Sequence, residues 1–339
     1  MVNVLLSSPA RTPWSTELTQ CVQALGDRVV RLREMSSERL GAVMRMGPLR
    51  ITGCNDVAKL TLTAPPDGVH VSPASDVVRW QQSPFALDLF SRHFALVFAV
   101  VAPVESWSAH TLLFFSRFGV LLYQVQVGAV AEFEQLVSQC AHPDQLPPRL
   151  DAAPWSEVSS MRVDVTTLEQ DWSRLREPGD FDALLRRHGI RRLRAYRKVR
   201  DKFARAVSLD SVPALLMLAA ARHTPLTISC SNAAGVLRHQ GRVPLAAGAG
   251  PQLWLGQGAM SLALDLRQVA SVWRVRKPTC AGIVTTVELF NGVDERVLTL
   301  SSGRHFGRWE LPSWRALLAD CLLPPEQHGR CWPQAAEGA

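Results

Sequence analysis

The chain holds no CxxC pair. Its seven cysteines (21, 54, 140, 230, 280, 321 and 331) are odd in number and scattered through 339 residues. A disulfide framework or a structural zinc site needs paired sulfurs, so the pattern fits reduced thiols in a cytoplasm better. Long hydrophobic runs are missing as well: the longest, Phe94 to Val104, is about half of what a membrane span requires and reads as buried strand. The opening MVNVLLSSPARTPW has no charged region ahead of its short apolar run, which argues against a secretory signal. The expectation is a cytoplasmic protein with no membrane insertion. Also absent are a Ser-His-Asp ordering, a Gly-rich phosphate loop and carboxylates paired in helical register, so hydrolase and nucleotide chemistry have nothing to stand on.

What is present describes a globular chain, 47% apolar and 20% charged, long enough for two domains or one large duplicated one. The net charge of +7 favours anionic partners. Much of it lies in the stretch from Trp172 to Val207, WSRLREPGDFDALLRRHGIRRLRAYRKVRDKFARAV. Pro178-Gly179 opens this stretch, with Asp180 placed to cap a helix. Apolar residues then fall at Phe181, Leu184 and Leu185 and, past Gly189, at Leu193, Tyr196, Val199 and Phe203. Those intervals predict two short amphipathic helices hinged at His188-Gly189. Between Arg186 and Arg205 stand ten Lys or Arg and one acid, Asp201. Such a cation run faces water, an anionic ligand or another chain. It also suits nucleic-acid phosphates, but no helix-turn-helix, RNP or zinc pattern accompanies it, and nucleic acid is not the expected partner.

Residues 16–46 carry Leu18, Val22, Leu25, Leu40, Val43 and Met44 at helical spacings. From Leu49 short alternating runs with turn residues between them predict an antiparallel sheet. HTLLFFSRFGVLLYQVQV is a hairpin turning near Phe118-Gly119, and AEFEQLVSQC is a helix. The second half then repeats the first. Ile51–Asn55 is answered by Ile228–Asn232, Ala86–Leu89 by Ala263–Leu266, and Val97–Pro103 by Val272–Pro278. Leu113–Phe115 is answered by Glu288–Phe290, and Phe133–Leu136 by Trp314–Leu317. These pairs keep their order at offsets of about 175 to 181 residues, which argues for an internal duplication. The expected fold is α+β, with two repeats of a large antiparallel sheet flanked by helices and a cleft beside the central hairpin. The boundaries read 1–145 for the N-terminal repeat, 146–170 for a proline-bearing linker, 171–325 for the C-terminal repeat and 326–339 for a tail.

The segment VASVWRVRKPTCAGIVTTVELFN, Val269 to Asn291, resembles the bacterial haemin-degrading and haem-trafficking proteins of the HemS/HmuS/ChuS type. Its RKPT-x-x-G-x-V-T-x-x-E-L-F run carries the likeness. Trp172, the LLRRHGI-then-AYRKV hairpin, the SNAAGVLRHQGRV strand pair and the closing PSWRALLADCLLP support it. The resemblance covers residues 170–322 well and the first half weakly. It implies a haem-binding protein that accepts haem from an inner-membrane importer. Such a protein passes the haem on, for example to a haem oxygenase, or breaks the ring itself to release iron.

The same resemblance places the family's axial histidine at the start of the first hairpin helix. Aligning Trp172, Phe181, Leu184 and Leu185 puts Gly179 there, and glycine has no side chain to bind iron. On the opposite haem face the alignment puts Asp88 where the family has an arginine, with Arg92 and His93 close enough to take over. His188 is the nearest histidine to the lost ligand, and its other reading is a solvated or helix-capping residue before Gly189. Arg192 and Arg304 match arginines that the family turns toward the haem propionates, and a guanidinium fork suits a carboxylate. The candidate haem-binding residues are therefore Arg192, Arg304, His93, Arg92 and His188. Beside the haem reading stands a second: a scaffold that no longer ligates iron and binds another ligand or a protein.

Overall fold

A computed structural model of the chain describes residues 15–64, 68–72, 76–82, 84–104, 107–151, 163–244, 246–247, 251–256, 258–280, 282–303 and 309–324. The first half contributes α1 (Ser15–Gln23), β1 (Val29–Leu32), α2 (Ser37–Val43), β2 (Leu49–Cys54), β3 (Ala58–Ala64) and β4 (Val69–Ser72). It continues with β5 (Val77–Gln82), β6 (Phe85–Phe90), β7 (Leu96–Val100), β8 (Thr111–Phe115), β9 (Leu121–Val127) and α3 (Val130–Cys140). The hairpin region supplies α4 (Val165–Ser173), α5 (Asp180–Arg187) and α6 (Arg192–Tyr196). Then follow β10 (Ala204–Val207), α7 (Ser211–Ala221), β11 (Leu226–Asn232), β12 (Gly235–Gly241), β13 (Ala246–Ala247), β14 (Gln252–Leu255) and β15 (Met260–Asp265). The chain closes with β16 (Ser271–Thr279), β17 (Gly282–Phe290), β18 (Arg296–Ser302) and α8 (Pro312–Cys321). The described strands form two nine-stranded sheets, and the fold is α+β as the sequence predicts.

The duplication is visible as topology. One sheet contains the run β1-β7-β8-β9-β2-β3 and the other β10-β16-β17-β18-β11-β12. Three of the five repeated sequence pairs land on equivalent strands of these runs, β2 with β11, β7 with β16 and β8 with β17, and the other two pair β6 with β15 and α3 with α8. Residues 16–46 depart from expectation. The helical spacing holds for α1 and α2, but Val29–Leu32 between them is the edge strand β1, paired antiparallel to β7 from Val29↔Val100 to Leu32↔Val97. Two adjacent valines favour extended backbone, and the pairing with an apolar neighbour overrides the helical spacing around them.

By contacts the chain divides into two compact units, 1–155 with 230–238 and 258–261, and 156–229 with 239–257 and 262–339. In the first, Leu18, Cys21, Val29, Phe98, Val100, Leu113, Phe115 and Leu121 form one apolar cluster. All five residues of β7 are buried, as the apolar run around them predicts. One of the sequence repeats, ITGCN against ISCSN, becomes a reciprocal contact. The Asn55 amide donates to the Ser231 carbonyl (2.9 Å), and the Asn232 amide donates to the Cys54 carbonyl (3.1 Å). Each asparagine also turns its own chain: Asn55 Oδ1 accepts from the Val57 and Ala58 amides, and Asn232 Oδ1 from the Ala234 amide. Such a side chain bonding two residues on is the ordinary way asparagine builds a turn.

The same unit fixes Gly235 tightly. Its φ is +152°, and a Cβ there would lie 1.9 Å from the Asp88 carbonyl oxygen. Gly235→Ala is therefore expected to cost about 1–3 kcal/mol, the usual loss on overpacking a close backbone approach. Urea unfolding measures it, and an unchanged midpoint would show that the backbone there yields freely.

In the second unit α4, α5 and α6 lie over β16 and β17. Trp172, Phe181, Leu184, Leu185, Leu193, Tyr196 and Phe203 close around Val275 and Phe290 as one buried cluster. The hinge is where the sequence puts it: Gly189 has φ +57°, the left-handed conformation that ends a helix and that glycine adopts without strain. The helix cap shifts by one residue. Gly179 holds the N-cap position and Asp180 is the first helical residue, its carboxylate accepting instead from the Glu177 amide at 3.2 Å. An acid in the first turn still complements the helix dipole.

Candidate functional site

β16 and β17 pair without interruption from Ser271↔Phe290 to Thr279↔Gly282. Strand side chains alternate between faces, so one face of this ribbon carries Trp273, Val275 and Lys277 with Val284, Thr286, Glu288 and Phe290. Trp172 fixes the hairpin over that face by donating its indole N–H to the Arg276 carbonyl at 3.0 Å. Val275 and Phe290 are apolar and expected there. Lys277 and Glu288 are not: both are buried, and Glu288 has no exposed surface.

Glu288 survives burial because it is surrounded by donors. Its Oε1 accepts from Lys277 Nζ (3.0 Å) and Thr286 Oγ1 (3.0 Å). Its Oε2 accepts from the Tyr196 hydroxyl (2.8 Å), with Arg192 Nη1 at 3.5 Å and Arg296 Nη1 at 3.9 Å. Burial pushes the Glu288 carboxyl upward, but Lys277, Arg192 and Arg296 outweigh it and hold the group well below the usual carboxylate range. Burial lowers Lys277 to about 8 against the pull of Glu288, with Arg192 and Arg296 pushing the same way as burial. Burial and the Glu288 charge raise the Tyr196 phenol. Lys277 and Arg192 also lie 4.8 and 5.0 Å from the Phe181 ring centroid, where a ring face attracts a cation.

Arg192 joins this cluster to the surface. Its Nη1 donates to the Tyr196 hydroxyl at 3.1 Å, and its Nη2 donates to Asp182, a side chain that is 59% exposed. Asp182 and Arg192 line a groove of about 420 Å³ together with Leu185, Arg186, Ile190 and Arg191. Three arginines and one acid line it beside the apolar Leu185 and Ile190, a net positive lining that suits an anion. A second groove, of about 390 Å³, runs past α6 and β10.

The other predicted residues are placed as follows. His188 caps α5, and its Nε2 lies 2.9 Å from Asp171 Oδ2, within the second unit. That is the capping role rather than an open coordination position. Gly179 is open: a Cβ built on it meets no atom within 4 Å, and its φ of −66° is ordinary for any residue. Arg304 lies outside the described residues. In the first unit, Arg92 and His93 end a short 3₁₀ turn after β6 and are both exposed. Arg92 lies 5.5 Å from the Phe90 ring centroid. Burial and the charges of Arg92 and Arg117 lower the His93 imidazole, which favours the neutral ring that a metal requires. Asp88 is held by Arg79 (2.8 Å) and Arg238 (2.7 Å).

Sequence reasoning singled out the RKPT hairpin but missed the Lys277–Glu288 pair inside it, and it missed Asp182 as the partner of Arg192. The signal was available. Lys277, Thr286 and Glu288 share the face of a ribbon whose other members are apolar, and charges in such positions are retained only when paired.

Compared with known proteins, residues 189–321 match the family model described as the haemin-degrading HemS.ChuX domain. The haemin transport protein HmuS of Yersinia pestis is 24% identical over 300 residues, spanning 87% of this chain and 86% of its own. The haemin transport protein HemS of Yersinia enterocolitica is 26% identical over 240 residues, 69% of this chain and 68% of its own. Among solved structures, holo-PhuS, a haem-binding protein from Pseudomonas aeruginosa, superposes with a TM-score of 0.82 at 25% identity, covering 91% of this chain and 92% of PhuS. ChuS, an E. coli haem oxygenase, superposes with a TM-score of 0.77 at 22% identity over 90% and 92% of the two chains, a likeness of fold.

Proposed function

We propose, for a chain that belongs to the haemin-degrading family of the HemS/ChuS type, that it is a cytoplasmic haem-binding protein. Its role on this reading is to take up haem supplied by an inner-membrane importer and carry it toward intracellular transfer or breakdown. The observation that carries the reading is Arg192. It is anchored from inside by Glu288 and Tyr196 and reaches the surface at a groove lined also by Arg186, Arg191, Leu185 and Ile190. Haem is an apolar disc with two carboxylates at one edge. Arg192 would donate from Nη2 to a propionate in place of Asp182, with Leu185 and Ile190 among the groove's lining. Among the described residues no helix is long and apolar enough to cross a membrane.

The iron side is supplied differently. The hairpin offers no imidazole at Gly179, and His188 is engaged by Asp171. Iron ligation therefore falls to a residue outside the hairpin or to water.

Titration of the purified protein with haemin, followed in the Soret region beside albumin and buffer, tests the reading. The expected result is a saturable one-to-one transition. Arg192→Ala should weaken it by about 1–3 kcal/mol, the loss usual for a charge-assisted contact. A thermal melt of the variant shows whether the buried cluster has survived. A folded Arg192→Ala protein that binds haemin as tightly as wild type would remove Arg192 from the site. A weak, unsaturated shift in the wild type would mean that the groove serves another ligand.

A further inference from the structure

The face of β16 opposite the hairpin carries a second cluster of charge, one the haem reading does not use. On the edge strand β10, Arg205 stands directly across from Arg274, and Arg276 follows two residues along β16 on the same side. Like charges directly opposite one another in a sheet repel. The local acid is Asp201, whose carboxylate lies 3.9 Å from Arg205 Nε with both side chains largely exposed, so it contributes little. Arg274 donates one Nη2 bond to the Asp201 carbonyl at 3.0 Å, while its Nε is buried with no hydrogen-bond partner. Arg276 makes no side-chain ion pair or hydrogen bond among the described residues. Burial and the charges of Arg276 and Arg205 all press against the Arg274 cation, yet arginine cannot shed its proton.

A folded protein does not keep three guanidiniums together, one with a buried idle donor, without something to set against the repulsion. We propose that Arg205, Arg274 and Arg276 form a binding site for a phosphate group. Three cations against one carboxylate leave an excess of two positive charges. A phosphate monoester carries nearly two negative ones and offers three acceptor oxygens, and guanidinium forks match that geometry. Of the three, Arg205 also lines the groove of about 390 Å³ at the β10 edge, with Asp201.

The test is calorimetric titration of the full chain with inorganic phosphate at constant ionic strength, with chloride as the counter-titrant. Saturable binding is expected, weakened about tenfold or more in Arg205→Gln and in Arg276→Gln. The ligand-free melting temperature should move the opposite way. Arg205→Gln relieves the repulsion, so the variant melts higher than wild type without phosphate and gains less on adding it. Glycerol phosphate in solution and vesicles containing phosphatidic acid separate the two sources of such a group. Tight binding of the first assigns a soluble ester, and binding of the vesicles alone assigns a lipid headgroup. No phosphate binding beyond the chloride control would overturn the site. So would an Arg205→Gln protein that is less stable without ligand, since the cluster would then be stabilising by itself.

Discussion

Glu288→Gln should destabilise the protein by about 3–5 kcal/mol, the loss typical of removing one partner from a buried ion cluster. The substitution keeps the size of the side chain and removes only its charge. Of the three cations around it, only Arg192 then keeps a carboxylate partner, Asp182, among the described residues, and Lys277 and Arg192 are almost wholly out of water. Urea unfolding followed by tryptophan fluorescence reads the effect, because Trp172 and Trp273 border the cluster. A double change, Lys277→Met with Glu288→Met, should cost less than Glu288→Gln alone, since an apolar pair carries no unpaired charge. A loss below about 1 kcal/mol for the single variant would mean that water screens the cluster.

The same carboxylate has a pH signature. Its folded pKa is depressed below the ordinary glutamate value of 4.5, so its contribution is present above that value and is lost as pH falls from there toward the folded value. Acid unfolding of the wild type should therefore include a component in that window that Glu288→Gln lacks.

The second large effect expected is a gain. Gly179→His should tighten haemin binding by about tenfold or more, or about 1.4 kcal/mol, and sharpen the Soret band toward a low-spin, imidazole-ligated form. The position is at the start of α5 with open space around it and an unstrained backbone, so the imidazole meets no steric barrier. Gly179→Ala is the control, because it changes the backbone preference without adding a ligand. If the histidine variant behaves like the alanine one, iron does not sit over the hairpin, and His93 becomes the first residue to test.

Much of the architecture could be read from the sequence, and the reasons are local. Gly189 marks the hinge because only a left-handed residue ends α5 so abruptly, and the duplication shows because each repeated pair preserves a strand or helix core. Val29–Leu32 escaped because a four-residue edge strand between two helices has too few residues to impose its own period. The chemistry of the hairpin was half legible. Arg192 was singled out through its place in a pattern, while its partners Asp182 and Glu288 lie 10 and 96 residues away and become neighbours only after folding. Lys277 and Glu288 are eleven residues apart, a separation with no helical or strand meaning until a hairpin closes between them.

The reciprocal asparagines have a consequence for synthesis. The first compact unit is completed by residues 230–238, among them Asn232 and the Gly235 that meets Asp88. At roughly 5–20 residues per second, about 4–15 s pass between translation of residue 155 and residue 230. Through that interval the nascent first half holds a turn at Asn55 whose amide has not yet found the Ser231 carbonyl, and strand edges still unpaired. A released chain ending before residue 230 should therefore be a better chaperone substrate than one ending after residue 261, although both contain the whole of the first repeat.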